Sequence, residues 1–537
     1  MIRTPYSYIT VGLLASIAIS AFISPRSTQR PQPQRQPNPV ITSAPDAPGA
    51  AKSKWVYFDP AGHLNYQLLE KGDKIMDFSY AGYMGGGVRL PAPAVKITLA
   101  PSADDNSDAI QAAIDTVSKM PLIDGFRGAV LLGPGAYNVG KVLNIRAGGV
   151  VLRGAGPGKN GTIINMTGSP HTCIAVKGEM AMRPAGATTT IADAYVPSGS
   201  LSCNLTDPSG FTTGDTIRII RPVTPAWLAF MGMDQMVRDG KSQTWISGDI
   251  TTIRIIHKIE KNRITFDVPL SDSYDARYTA PSGTTVQKLA TSAMLSRIGI
   301  EDLRIVSPGQ SVTINEGHNR ALTMDGITDG WARNLEIYNT VNSISITARR
   351  VTVENIRIIH EVPTIGAAKP ADLNGSGPQL LFSRCTITGD NLFYFATGPK
   401  GTGPVVLLNC NFKGTGWIQP HQRWSTGLLV DGCQVPGGGI DFMNRGAMGS
   451  GHGWAIGWAV AWNCQARSFL NQQPPGAANW VIGCQGEPQK RAAPFNALPL
   501  LPEGIYDSHG TAVSPASLYL AQLSERLGPQ ACRNIGY

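Results

Sequence analysis

The chain has 537 residues, with 60 glycines, 39 prolines and only 15% charged residues. This composition favours a turn-rich β protein and argues against a coiled coil or a disordered chain. The net charge of +9 suits an anionic ligand. The sequence has no basic run interleaved with aromatic residues, which argues against nucleic acid as a partner.

The N-terminus carries the features of an export signal. Arg3 precedes an apolar run from Ile9 to Ile23, which predicts a signal peptide or a membrane anchor over residues 1–24. The run is shorter than the roughly 20 residues of a membrane-spanning helix, so both alternatives stay open. Export would place the protein in the periplasm, outside the cell or on the outer face of a membrane. Residues 25–52 are rich in Pro, Gln and Arg, which predicts a disordered linker.

Residues 53–185 are predicted to form an N-terminal cap and the first coils of a solenoid. A helix is predicted after Asp104, with an apolar stripe formed by Ile110, Ala113, Ile114 and Val117. Short apolar strands separated by Gly-Pro turns follow this helix. A single helix that leads into short strands is typical of a capped solenoid, because an open end would leave backbone groups unpaired.

Four motifs in this part of the chain are similar to those of a known superfamily. They are the acidic stretch Asp104–Asp108, the helix Ala109–Asp115, the phrase LLGPGAYNVG and the phrase VVLRGAGPG. Over residues 100–165 the chain resembles the pectate lyase superfamily of right-handed parallel β-helices. The resemblance implies an all-β, right-handed parallel β-helix. It leaves the chemistry open, since this superfamily includes lyases, hydrolases, epimerases and viral adhesins.

Residues 186–290 interrupt the rhythm of the coils and predict a β-rich insertion. Two strand-rich stretches with Gly-Asp and Lys-Asn turns flank a long loop that contains Trp227 and Trp245. This loop could wall a groove and stack on sugar rings, or it could simply cover a sheet.

The main coils are predicted over residues 291–490. One apolar position recurs there at intervals of 20 to 32 residues, at Leu303, Leu335, Ile356, Cys385, Cys410, Cys433, Cys464 and Cys484. This spacing, without long helices, is typical of a solenoid. The five cysteines take the place of Leu and Ile, so we predict a buried column and no disulfides among them. Cys173 and Cys203 could pair, and Cys532 has no assignment.

The repeat also groups candidate active-site residues. The positions eleven residues after Cys385, Cys410 and Cys433 are Ala396, His421 and Asn444. Equivalent positions of successive coils lie about 4.8 Å apart, so His421 and Asn444 are predicted neighbours. The same face is predicted to carry Tyr394, Arg423, Arg445 and, in a glycine-rich loop, His452.

These side chains match the needs of a β-eliminating lyase that acts on an acidic polysaccharide. His421 would be the base, since its ordinary pKa lies nearest neutrality and the neighbouring arginines would keep it neutral. Asn444 with Arg423 or Arg445 would bind the uronate carboxylate. Tyr394 or His452 would protonate the leaving oxygen.

Aromatic side chains are the predicted platforms for sugar rings. They are Trp227, Trp245, Trp417, Trp424, Trp454, Tyr80 and Tyr83.

Two alternatives to a lyase are kept. A glycoside hydrolase on the same fold needs two carboxylates flanking the scissile bond, but Asp441 is predicted to face the other side of the sheet. A non-catalytic, glycan-binding or adhesive β-helix would bind sugar without forming product. No metal ligand set and no cofactor are predicted, although calcium stays open.

Residues 491–537 are predicted to form a C-terminal cap. A helix from Pro515 to Leu527 follows Ser514 and ends at Gly528. A monomer is the default expectation for a capped solenoid.

Overall fold

The computed structural model describes residues 49–179, 182–291, 294–311, 313, 315–363, 371–495 and 500–537. The predicted export segment 1–24 and nearly all of the linker 25–52 therefore lie outside the described residues. Within these ranges, no helix is both long and apolar enough to cross a membrane.

One continuous sheet, built almost entirely from parallel pairs of strands, forms the body of the protein. Strands β4–β10 and β21–β38 each pair with strands of the neighbouring coils, and their inward side chains share one apolar core. Parallel crossovers of this kind are right-handed as a rule. The predicted parallel β-helix is thus the fold of the protein.

The strands before the insertion are short. They are β1 Ala51–Lys52, β2 Val56–Phe58, β3 Leu64–Tyr66, β4 Val95–Leu99, β5 Gly128–Leu132, β6 Gly135–Val139, β7 Leu143–Ile145, β8 Val150–Gly154, β9 Thr162–Met166 and β10 Thr172–Lys177. Strands β2 and β3 form a separate antiparallel pair, and β1 pairs with β39 near the C-terminus.

An antiparallel sheet with its own apolar core occupies the predicted insertion. The strands of this region are β11 Met182–Thr190, β12 Tyr195–Val196, β13 Ser202–Asn204, β14 Thr216–Arg221, β15 Val237–Arg238, β16 Lys241–Ser242, β17 Ile250–Glu260, β18 Arg263–Phe266, β19 Tyr274–Asp275 and β20 Thr285–Thr291. The long loop of the insertion carries helix α2, Pro225–Phe230, which the Thr224 hydroxyl caps.

The main coils follow the insertion. Their strands are β21 Leu295–Val306, β22 Arg320–Tyr338, β23 Ile344–Ile359, β24 Leu373–Gly375, β25 Leu380–Ser383, β26 Thr386–Thr388, β27 Phe393–Thr397, β28 Thr402–Leu408, β29 Asn411–Lys413, β30 Trp417–Ile418, β31 Ser425–Asp431, β32 Gln434–Phe442, β33 Ile456–Gly457, β34 Val460–Trp462, β35 Gln465–Asn471, β36 Trp480–Ile482, β37 Gln485–Gln489, β38 Ile505–Asp507 and β39 Val513–Ser514.

The predicted column of apolar residues is confirmed, and a turn in front of it explains its regularity. Leu303 pairs with Leu335, and Leu335 pairs with Ile356. The residue before each member has a positive φ, between 49° and 66°, at Asp302, Asn334, Asn355, Arg384, Asn409, Gly432, Asn463 and Gly483. Asn, Asp and Gly tolerate this left-handed conformation best, so the sequence bends each coil at the same place.

All eight cysteines are free and buried. The five in the column point into the core, where their thiols donate to backbone carbonyl groups such as that of Val353. Cys173 and Cys203 belong to different apolar cores and do not pair. The predicted column without disulfides is confirmed.

The helices of the two predicted caps pack in different ways. Helix α1, Ser107–Ser118, inserts its apolar stripe into the core of the first coils. Helix α3, Leu518–Leu527, lies against the flank of the coils, where Asp431 accepts hydrogen bonds from Ser517 and Tyr519. Helix α4, Pro529–Asn534, packs on α3. The capping roles of these helices stay predictions.

Candidate active site

Strands β30 and β32 place a pair of polar side chains on the outer face of the coils. Ile418 and Ile440 are register partners and point into the core. The next residue of each strand therefore points outward, which brings Gln419 and Asp441 together. The Gln419 Nε2 donates to Asp441 Oδ2 at 2.7 Å.

Two histidines meet beside this pair. His421 lies two residues after Gln419, beyond the end of β30. Its ring centroid is 4.8 Å from that of His452, in an edge-to-face contact, and 6.2 Å from that of Phe393. The loop that carries His452 is held from both sides. Its amide donates to the Met448 carbonyl, and its carbonyl accepts from the Arg423 amide.

Burial and positive charge keep both histidines neutral. Burial lowers the pKa of His421 to about 4, and Arg445 and Arg423 lower it further in the same direction. Burial likewise lowers the pKa of His452 to about 3, with contributions from His421 and the arginines, including Arg238 of the insertion. At neutral pH each imidazole can therefore accept a proton.

Arg445 is a buried cation that forms no ion pair among the described residues, and the charge of Asp441 acts on it only at a distance. Its side chain is only 4% exposed, and its Nε and Nη1 have no hydrogen-bond partner among the described residues. Nη2 reaches only the Met448 sulfur at 3.8 Å, and the guanidinium carbon lies 5.1 Å from the ring centroid of Phe393. Burial lowers its pKa to about 10, so the group stays charged at neutral pH. Such a cation favours an anionic ligand.

Asp441 lies on the same face, contrary to the sequence prediction. That prediction counted alternation back from Asn444, but β32 ends at Phe442, so the two-residue period does not extend that far. Burial raises the pKa of Asp441 to about 6, although Gln419, Arg491 and Arg445 oppose this shift. Alternation counted from Ile440, a core residue, would have placed Asp441 correctly.

Tyr394 was wrongly predicted to face the site. It is fully buried in the core of the coils, and its hydroxyl donates to the Gly389 carbonyl at 2.9 Å. The strand pairing shifts by one residue between Phe393 and Phe395, and this irregularity turns Tyr394 inward. It cannot contact a substrate in this position.

Asn444 is not brought to the histidines. Its Oδ1 accepts from the Gly446 amide at 2.8 Å, and its Nδ2 faces the Met233 sulfur at 3.8 Å. The side chain lines an apolar cavity of about 400 Å³ between helix α2 and the coils. The coils differ in length, so a fixed count of eleven residues does not keep His421 and Asn444 in register.

Four of the predicted aromatic platforms are buried, and their stacking on sugars stays a prediction. Trp227, Trp245, Trp424 and Trp454 are at most 5% exposed. They form one cluster where the insertion meets the coils, with Trp227 stacked on Trp245 at 5.0 Å. They attach the insertion to the coils.

The remaining three aromatic residues lie in three separate places. Tyr83 is buried against Trp331, and Tyr80 packs under Arg526 of helix α3. Trp417 is half-buried on the outer face of β30, with the Arg467 guanidinium carbon 5.5 Å from its ring. Only Trp417 lies on the strand that leads to His421.

No cluster of three or more His, Cys, Asp or Glu side chains suited to a metal ion occurs in the part of the chain that the structure describes. The outer face instead collects arginines around two histidines and one carboxyl group. The arrangement can bind an anion, accept a proton and donate one.

Comparisons with known proteins give distant likenesses. No protein-family model matches the chain, and no curated protein matches it. A polygalacturonase from Erwinia carotovora ssp. carotovora covers 80% of this chain and 95% of its own, with 12% identity and a TM-score of 0.39. The A-module of a mannuronan C-5 epimerase from Azotobacter vinelandii covers 78% and 100%, with 11% identity and a TM-score of 0.29.

A tailspike protein of Pseudomonas phage LKA1 covers 76% of this chain and 72% of its own, with 12% identity and a TM-score of 0.31. The parallel β-helix of this chain rests on its own strand pairing, and the three structures are likenesses alone. At these identities and TM-scores, the activity has to be argued from the site itself.

Proposed function

We propose that the protein is an exported enzyme that cleaves a uronate-containing polysaccharide by β-elimination at the outer face of β30 and β32. The observation that carries this proposal is the buried, unpaired guanidinium of Arg445 beside two neutral histidines. A buried charge without a partner is costly, and a bound carboxylate would satisfy it with charge-assisted hydrogen bonds.

The first step is recognition of the uronate carboxylate by Arg445. Neutralising this carboxylate makes the adjacent C5 proton more acidic and stabilises the negative charge that develops when the proton leaves. Arg423 adds positive charge from the neighbouring turn, where its Nη2 is held by the Ser450 hydroxyl at 2.7 Å.

His421 then removes the C5 proton. Its pKa of about 4 in the free protein would make it a weak base, but a bound carboxylate places negative charge next to the ring. Negative charge favours the protonated imidazole and raises its pKa. Substrate binding is therefore expected to make His421 a stronger base. The edge-to-face contact with His452 holds the ring of His421 in place.

The test follows the ultraviolet absorbance of the unsaturated uronate that elimination forms. Polygalacturonate, alginate and hyaluronan are incubated with the wild-type protein, His421→Ala and His63→Ala. His63 is an exposed histidine of the N-terminal segment that pairs with Glu525 of helix α3. We expect a rise in absorbance that His421→Ala reduces by about 10²- to 10⁴-fold, the usual contribution of a general base, and that His63→Ala leaves intact.

A second candidate function is glycoside hydrolysis, which the raised pKa of Asp441 favours. It would form new reducing ends without the unsaturated product, and the lyase proposal would then be wrong. Sugar binding that survives His421→Ala, with neither product, would favour a glycan-binding protein.

A further inference from the structure

We propose that Asp441 donates a proton to the departing glycosidic oxygen and that Gln419 positions its carboxyl group for this transfer. This inference rests on the proposed β-elimination. That reaction needs an acid as well as a base, because the bond from C4 to oxygen breaks with both electrons on the oxygen. Tyr394 is in the core, and His452, with a pKa of about 3, holds no proton in the mildly acidic solution in which Asp441 does.

Arg445 links Asp441 to the base, because its charge acts on both Asp441 and His421. Asp441 is the neighbour of Gln419 on the next coil, and Gln419 lies two residues before His421. In the proposed complex, the uronate lies at Arg445 with its C5 side toward His421 and its C4 oxygen toward Asp441.

The hydrogen bond from Gln419 decides which carboxyl oxygen carries the proton. The Gln419 amide donates to Oδ2 at 2.7 Å, and a backbone hydrogen bond from Leu470 also favours the carboxylate. With Oδ2 acting as an acceptor, Oδ1 is the oxygen that would carry the acidic proton. Gln419 and Asp441 are at most 9% exposed. A hydrogen bond between two buried side chains fixes the direction of the remaining O–H.

Two cations face Asp441 without forming an ion pair with it. Arg445 follows β32 and Arg491 follows β37, and both act on Asp441 only through their electrostatic field. They oppose the effect of burial, yet the pKa of Asp441 still lies at about 6. The carboxyl group is therefore protonated in mildly acidic solution and can act as an acid there.

The step balances as follows. His421 takes the C5 proton, and the electrons of the C5–H bond form the C4–C5 double bond. The bond from C4 to oxygen breaks, and the oxygen takes the proton of Asp441 Oδ1. The products are an unsaturated uronate, a free hydroxyl group, an imidazolium and a carboxylate. Exchange of one proton through solvent restores His421 and Asp441.

The test compares a poor and a good leaving group. Wild type, Asp441→Asn, Gln419→Leu and His421→Ala act on the polymer cleaved fastest and on the matching uronate with a 4-nitrophenyl ether at O4. Nitrophenolate leaves without an acid, so Asp441→Asn should lose about 10²- to 10³-fold on the polymer but less than about 10-fold on the ether. His421→Ala should lose activity on both substrates, and Gln419→Leu should resemble a weaker Asp441→Asn.

The pH profile gives an independent readout. The kcat/KM of wild type on the polymer should rise with the deprotonation of His421, pKa about 4, and fall with the deprotonation of Asp441, pKa about 6. Asp441→Asn should remove the fall on the alkaline side. An equal loss on both substrates, or a polymer activity close to wild type, would overturn the assignment of Asp441. If wild type forms no unsaturated product from any polymer, the proposed function fails together with this inference.

Discussion

The seam between the insertion and the coils buries one arginine, and the outer face of the coils buries another. Arg254, at the seam, is 1% exposed, and Arg445, on the outer face, is 4% exposed. Burial lowers the pKa of each to about 10. Their surroundings differ. Arg254 donates to the carbonyl groups of Ile253, Val268 and Pro269 at 2.7–2.9 Å.

The lack of both an ion pair and carbonyl partners within the described ranges separates Arg445 from Arg254. It also separates Arg445 from Arg221, which leaves two nitrogens without hydrogen bonds but pairs with Asp272. Three carbonyl groups directed at the Arg254 guanidinium offset the free-energy cost of its desolvation. Arg445 lacks such partners within the described ranges and meets the charge of Asp441 only at a distance, so the fold leaves two of its buried nitrogens without hydrogen bonds. A buried cation of this kind lowers the stability of the fold, so its presence indicates a role other than stabilisation.

The largest predicted effect comes from removing each charge in turn. Arg445→Met should lower elimination activity by about 10²- to 10³-fold, as expected for the loss of a buried charged partner, yet leave the free energy of unfolding unchanged or raise it. Arg254→Met should lower the free energy of unfolding by about 2–4 kcal/mol, because it leaves buried carbonyl groups without hydrogen-bond donors. Denaturant unfolding measures the free energy of unfolding, and product absorbance measures the elimination activity.

Arg445→Lys refines this test. Lys keeps the positive charge but not the planar pair of donors that fits a carboxylate, so it should recover only part of the activity. If Arg445→Met instead destabilised the protein as much as Arg254→Met, the guanidinium would be structural and the proposed carboxylate site would be lost.

A smaller effect concerns the pH dependence of stability. The pKa values of His421 and His452 are lowered in the folded protein, so the unfolded chain binds protons first as the pH falls below about 6.5. Their contribution to stability is present above that pH and declines as the pH falls toward 4. Replacing both by Gln should reduce the fall in Tm between pH 7 and pH 5 by about 1–3 °C.

His63→Gln, at an exposed position of the N-terminal segment, is the matched control variant. Asp441 has the opposite effect on the pH dependence of stability. Its pKa is raised in the folded protein, so its contribution to stability is present below about pH 4 and declines as the pH rises through 6. A double histidine variant with the same pH dependence as wild type would contradict the neutral state assigned to the pair.

The fold was predictable because each coil repeats two local signals. A buried residue recurs in the column, and a residue that tolerates positive φ precedes it at seven of eight positions, Arg384 being the exception. Register follows from the pairing of these signals in consecutive coils. The grouping of His421 with His452 and both arginines was predictable for the same reason, since these residues sit in adjacent turns.

The errors in the predicted site have two causes: local irregularities of the strands, and contacts between parts of the chain that are far apart in sequence. A shift in strand pairing turned Tyr394 inward, and the end of β32 before Asn444 broke the alternation used for Asp441. Neither irregularity is marked in the sequence. The burial of Trp424 and Trp454 depends on the insertion, whose docking against the coils comes from residues about 200 positions away. Local patterns carry no information on such contacts.

The smallest predicted effect tests the aromatic residue that remains near the site. Trp417 is half-buried, lies in register with Phe393 and stands under Arg467. A sugar stacked on its ring would be bound equally in the ground state and in the transition state, so Trp417→Ala should raise KM about 3- to 10-fold with kcat unchanged. Trp55→Ala is the control, since this half-buried ring of the N-terminal segment packs on Trp480 of β36.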